Sequence, residues 1–104
     1  MTARADGFID CRTVVAHPLS VRVYGKPRPS QELMESLEKV GMLQPLVVAE
    51  REGDGPYEVL AGNTRAAAWR GLWEQKRVES PQMPCRFVRL SSIEAEQLVI
   101  ESNR

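Results

Sequence analysis

The residues best suited to chemistry are Gly62-Asn63-Thr64-Arg65. They follow the apolar run Tyr57 to Leu60 and precede a stretch of helix formers, so they fall where a strand turns into a helix. The first N–H groups of a helix lack intrahelical acceptors and the helix dipole adds positive potential there, which suits such a junction to an anion. Gly62 permits close backbone approach, Asn63 and Thr64 add short polar groups, and Arg65, one turn in, carries a planar cation that matches a phosphate. The competing reading is an ordinary capped turn, because strand-to-helix junctions favour Gly and an Asn N-cap whether or not a ligand is held. The segment is not a Walker A loop, since no Gly-Lys-Ser/Thr follows, and it is not GxGxxG.

Other chemistry-bearing residues are less organised. Cys11 and Cys85 lie far apart without CxxC or Cys/His pairing, which points to reduced thiols rather than a disulfide framework or a zinc site. His17 precedes Pro18 with no Asp, Cys or second His at ligand spacing. Trp69 and Trp73 are four apart, so they share a helix face and suit packing before base stacking.

The elements that must position these residues follow from caps, breakers and apolar spacing. Residues 1–11 carry no sustained periodicity and read as a loose arm, with a short strand from Arg12 to Ala16 and a connecting loop through His17-Pro18 and Gly25-Lys26-Pro27-Arg28-Pro29. Ser30 is an N-cap, Leu33, Met34, Leu37 and Val40 recur at helical spacing, and Gly41 closes the turn, which predicts a helix over 31–40. Leu46-Val47-Val48 and Tyr57 to Leu60 flank the turn Glu52-Gly53-Asp54-Gly55 and predict a β-hairpin. Asn63 as N-cap opens a helix from Thr64 to Trp73, residues 74–84 form a loop, and Cys85 to Leu90 make a strand. Ser91-Ser92-Ile93-Glu94 has the spacing of a capping box, so a last helix runs from there toward Ser102. The predicted class is α/β, a small mixed sheet with packed helices.

Length and composition agree. At 104 residues with 42% apolar and 27% charged side chains, the chain makes one ordinary globular domain and excludes collagen-like or wholly disordered classes. No apolar run approaches the roughly 20 residues of a membrane span, and the N-terminus has no secretory apolar stretch, so the cytoplasm is expected and a membrane is not. Fourteen basic residues balance fourteen acidic ones, but unevenly. Residues 1–29 hold five basic and two acidic side chains, 30–59 two and seven, 60–90 six and two, and 91–104 one and three. Eleven of the basic residues are Arg, the side chain that binds phosphate bidentately.

Three segments in order then resemble the N-terminal domain of ParB-type partition proteins: Gly41-Met42-Leu43-Gln44-Pro45-Leu46-Val47-Val48, Ala61-Gly62-Asn63-Thr64-Arg65-Ala66-Ala67-Ala68, and Ile100-Glu101-Ser102-Asn103-Arg104. They are similar to that family's G-x-x-Q-P segment, its glycine-led box ending in Arg, and its ENxxR-like helix end, and the resemblance spans about residues 12 to 104. It implies a nucleotide-binding fold shared with sulfiredoxin and ParB-like free-serine kinases, and CTP with Mg2+ as ligand. By the same resemblance Gln44 would lie near base and sugar, Gly62, Asn63, Thr64 and Arg65 would hold the phosphates, and Arg22 would enter the pocket. Glu101 and Asn103 would lie near the triphosphate and its metal, and Arg104 would contact phosphate or DNA backbone.

The departures bear on activity. The box reads GNTR where the family has GERR; Asn63 replaces the nucleophilic Cys of sulfiredoxin, and Thr64 the His of the kinases. The last motif reads ESNR, with Ser102 directly after Glu101. The resemblance therefore implies a nucleotide-binding module with at most slow NTP hydrolysis; an enzyme using the same pocket for phosphoryl transfer, hydrolysis or nuclease action is the alternative. It also implies a domain excised from a longer protein, with a helix-turn-helix after Arg104, DNA contacts made by the full-length protein, and self-association as a homodimer.

Overall fold

The structure, a computed structural model, describes residues 7–51 and 53–102. Part of the expected arm, the Glu52 end of the predicted turn, and both Asn103 and Arg104 therefore lie outside the described residues. The chain runs β1 (Gly7–Asp10), a 3-10 turn (Cys11–Thr13), β2 (Val14–Ala16), α1 (Pro18–Tyr24), α2 (Gln31–Val40), β3 (Leu46–Ala49), β4 (Tyr57–Ala61), α3 (Asn63–Glu74), β5 (Gln82–Val88) and α4 (Ser92–Ser102).

Local signals account for several boundaries. Ser30 Oγ accepts from Leu33 N–H at 3.1 Å and starts α2; Gly41, at φ 79°, ends it with its N–H on Leu37 O at 2.9 Å. The Ser91–Glu94 capping box forms in both directions, Glu94 N–H to Ser91 Oγ at 3.2 Å and Ser91 N–H to Glu94 Oε1 at 3.0 Å.

Two segments depart from expectation. Gly7–Asp10, read as arm, is a strand, because β5 supplies the hydrogen-bond partners that its own pattern does not announce. Residues 18–24, read as loop, form α1: His17 Nδ1 accepts from Leu19 N–H at 3.1 Å and Pro18 sits at the first helical position, where its missing N–H costs nothing. The first predicted strand begins at Val14 rather than Arg12, and the last occupies 82–88 rather than 85–90.

The sheet order is β1-β5-β3-β4-β2, with β1–β5 and β3–β4 antiparallel and β3–β5 and β2–β4 parallel. Successive residues of β4 feed opposite layers: Val59 packs with Leu46, Val48, Met83 and Ala66, while Leu60 packs with Ala95 and Val99 of α4. A third cluster, Leu37, Ala68 and Leu72, joins α2 to α3. The sheet thus lies between α3 and α4, and the β4–α3 junction emerges at its end.

Candidate functional site

The opening of α3 is built around Gly62. This residue, not Asn63, is the N-cap, with left-handed backbone at φ 97° and no side-chain cap bond. A Cβ there would stand 2.5 Å from Leu46 Cδ2 and 2.7 Å from Arg65 Nη2, so both backbone angle and space demand glycine. The first intrahelical bond is Ala66 N–H to Gly62 O at 2.9 Å, which leaves the amides of Asn63, Thr64 and Arg65 ahead of it at the open end of the helix.

Asn63 begins the helix instead of capping it because its side chain is used elsewhere. It is 9% exposed, and its Nδ2 donates a long 3.4 Å bond to Oγ of Ser20, itself 4% exposed. This buried pair fastens α3 to α1. Thr64, by contrast, is exposed.

In front of these amides lies a cleft of about 340 Å³, lined by Ser20 and Tyr24 of α1, the loop Gly25 to Arg28, Asn63 and Thr64. Lys26 and Arg28 are exposed cations, and among the described residues no carboxylate lines the cleft. Helix dipole and two cations together make its potential positive. Ser20, Tyr24, Lys26 and Arg28 were not singled out by sequence. The signal that could have found Lys26 and Arg28 is their position on either side of Pro27 in a segment with five basic and two acidic residues.

Arg65 does not line that cleft. Its Nη1 donates to the main-chain carbonyl of Gln44, so the guanidinium ties the loop ahead of β3 to the first turn of α3. Burial pushes its pKa down, yet a guanidinium stays charged near neutral pH. Gln44 itself is exposed, while the following Pro45 and Leu46 are buried. Arg22 is exposed on the last turn of α1 and also lies outside the cleft lining.

The third motif arrives from α4. The single hydroxyl proton of Ser102 lies within reach of two carbonyls, Leu60 at 3.2 Å and Val99 at 3.1 Å, which brings the end of α4 against β4 two residues before Gly62. Glu101 is exposed and lines a different groove with Arg86, Glu94 and Gln97. The three segments therefore meet at one end of the sheet, through Gln44–Arg65 and Leu60–Ser102, although their charged groups do not all face one cavity.

Among the described residues, no group of three or more His, Cys, Asp and Glu could hold a metal ion. Cys11 is fully buried and burial pushes its thiol up, the reverse of an activated nucleophile.

A sequence model of the ParB N-terminal domain matches residues 8–103. Over 97 residues the chain is 41% identical to the probable plasmid-partitioning protein ParB of Thermus thermophilus, covering 86% of this chain and 29% of that protein. It thus spans less than a third of that relative's length. The C-terminally truncated chromosome-partitioning protein ParB of Caulobacter crescentus, complexed with CTP-gamma-S, superposes with a TM-score of 0.68 at 19% identity, over 93% of this chain and 51% of that one. The same protein complexed to the centromeric parS site gives 0.60 at 21% identity, over 94% and 46%. Sulfiredoxin from Arabidopsis thaliana gives 0.58 at 20% identity, over 89% and 94%. At such identities the superpositions speak to the fold.

Proposed function

The chain belongs to the ParB N-terminal domain family, and from that membership we propose that it binds a nucleoside triphosphate, CTP foremost, in the cleft before α3. In this reading it is the nucleotide-responsive part of a cytoplasmic partition or regulatory protein. DNA contacts and self-association belong to the whole protein rather than to these residues. The observation that carries the proposal is the cleft itself, where the opening residues of α3, Asn63 and Thr64, line one space with Lys26 and Arg28 and, among the described residues, no carboxylate. A relative of the same fold is complexed with a CTP analogue, which favours CTP over other nucleotides.

The phosphates are assigned to the amides of Asn63, Thr64 and Arg65, with the Thr64 hydroxyl, Lys26 and Arg28 completing their hydrogen bonds. Arg65 acts by holding the Gln44 loop in place, which keeps Gly62 and its neighbours in register. Magnesium would enter with the triphosphate; among the described lining residues Ser20, Tyr24 and Thr64 would offer it hydroxyl oxygens beside those of the phosphates. Among the described residues lining the cleft none is a carboxylate or histidine that would serve as general base, which supports binding with at most slow hydrolysis.

Calorimetric titration with CTP, ATP, ADP and cytidine, each with and without magnesium, tests this reading. Heat with CTP that exceeds that with ATP and vanishes with cytidine is expected. Absence of heat with every nucleotide overturns it.

A further inference from the structure

A second cavity adjoins the first, about 580 Å³ in volume, between the β2 edge and α3. Its walls are mainly apolar, with Val14 and Val15 of β2, Val59 of β4, and Ala66 and Ala67 of α3, whose small side chains leave the space unfilled, and Asn63 at the end shared with the first cleft. Lys26 and Arg70 stand on its rim. We propose that this trough is a docking site for an extended acidic peptide, which adds a strand to the open edge of β2.

The edge dictates an extended backbone. Among the described residues β2 is the last strand of the sheet and pairs only with β4. His17 N–H reaches Val59 O at 3.3 Å, so residues 15 and 17 turn their backbone groups toward β4. Alternation then turns those of Val14 and Ala16 outward. A strand laid there would hydrogen-bond Ala16 and place alternate side chains over Ala66 and Ala67. β2 is only three residues long, so the segment accepted is short, and its specificity comes from the trough and its rim.

The rim dictates an acidic partner. Lys26 and Arg70 are both exposed and, among the described residues, no carboxylate lines the trough. Arg70 already meets Glu74 at 3.4 Å, but exposed pairs of this spacing are weak and yield to a carboxylate brought in on a docked strand.

The test uses the 104-residue chain and two synthetic heptapeptides of alternating valine and threonine, one with glutamate at each end and one with lysine. Amide hydrogen exchange and NMR shifts are followed during titration. The acidic peptide is expected to protect the Ala16 amide and leave that of Val15, already bonded to β4, unchanged. It should bind about tenfold more tightly than the lysine form. The Lys26→Glu/Arg70→Glu variant, changed only at exposed positions, should invert that preference, and Ala67→Phe, which fills the trough, should abolish protection. Equal binding of the two peptides overturns the proposal. So does protection confined to Ser20 and Tyr24 of the neighbouring cleft, or no protection at Ala16 at peptide saturation of the titration range.

Discussion

The Arg65 guanidinium donates from Nη1 to the Gln44 carbonyl, so the second motif is tied directly to the first. A charged donor on a main-chain carbonyl beside buried Pro45 and Leu46 is a structural clamp, and it fixes the loop that carries the first motif against the helix that carries the second. Arg65→Ala should therefore lower stability by about 1.5–3 kcal/mol, read by urea denaturation. An unchanged midpoint would show that the clamp contributes nothing.

Gly62 and Gly41 both have positive φ, but only Gly62 lacks room for a side chain. Gly41→Ala meets open space and should cost about 1 kcal/mol from backbone strain alone. Gly62→Ala adds overlap with Leu46 and Arg65, and its cost should exceed that of Gly41→Ala by at least about 1 kcal/mol. Thermal unfolding of the two variants side by side gives the comparison, and equal losses would remove close packing as the reason for glycine at position 62.

Thr64 offers a test in which stability and binding move in opposite directions. It is exposed on the first turn of α3, where the helix has no acidic residue. Thr64→Glu should stabilise the helix by about 0.3–1 kcal/mol through the dipole while placing a negative charge where the phosphates are proposed to lie. The expected outcome is a raised melting temperature with CTP binding lost. Retained CTP affinity would move the phosphates away from this helix end.

Lys26 and Arg28 should matter for the nucleotide and little for the fold. Both are exposed on the loop after α1. Lys26→Ala/Arg28→Ala should weaken CTP binding by about 10- to 100-fold, about 1.4–2.8 kcal/mol, with the melting temperature unchanged. Raising salt should weaken the parent protein more than the variant, since fewer charges remain to be screened. A variant that binds CTP as the parent does would remove the loop from the site.

Asp10 carries a pH signature. Hydrogen bonds from the Arg12 side chain and amide hold its carboxyl down at about 2, against an ordinary 3.8. Because the folded value is the lower one, the unfolded chain binds the proton more readily, and Asp10 stabilises the fold fully only above about 3.8. That contribution is lost as pH falls toward 2. Acid unfolding followed by circular dichroism should show a steeper loss of stability across this interval in the parent than in Asp10→Asn. Parallel curves would mean that the Asp10–Arg12 contact, 2.6 Å long, persists to the same extent in the unfolded chain.

Elements whose instructions sit within three or four residues were legible in the sequence. The bounds 31–40 of α2 follow from Ser30, the Leu33–Leu37 spacing and Gly41; the start of α4 follows from Ser91 and Glu94; and the β3–β4 hairpin follows from two apolar runs around a Gly-Asp-Gly turn. The three motifs, and with them the family, were legible for the same reason. What only the tertiary structure decided depends on partners far away in the chain. Gly7–Asp10 becomes a strand because β5 lies beside it, and the opening residue of α3 is displaced by the pull of Ser20 on Asn63 across 43 positions. The cleft has two walls because α1 and the loop after it come beside the opening of α3, so that Lys26, Arg28 and Thr64 line one space. Caps and turns are short-range energies written in neighbouring residues, whereas strand partners and cavity walls are set by which buried surfaces fit together, and that choice is made by the whole chain at once.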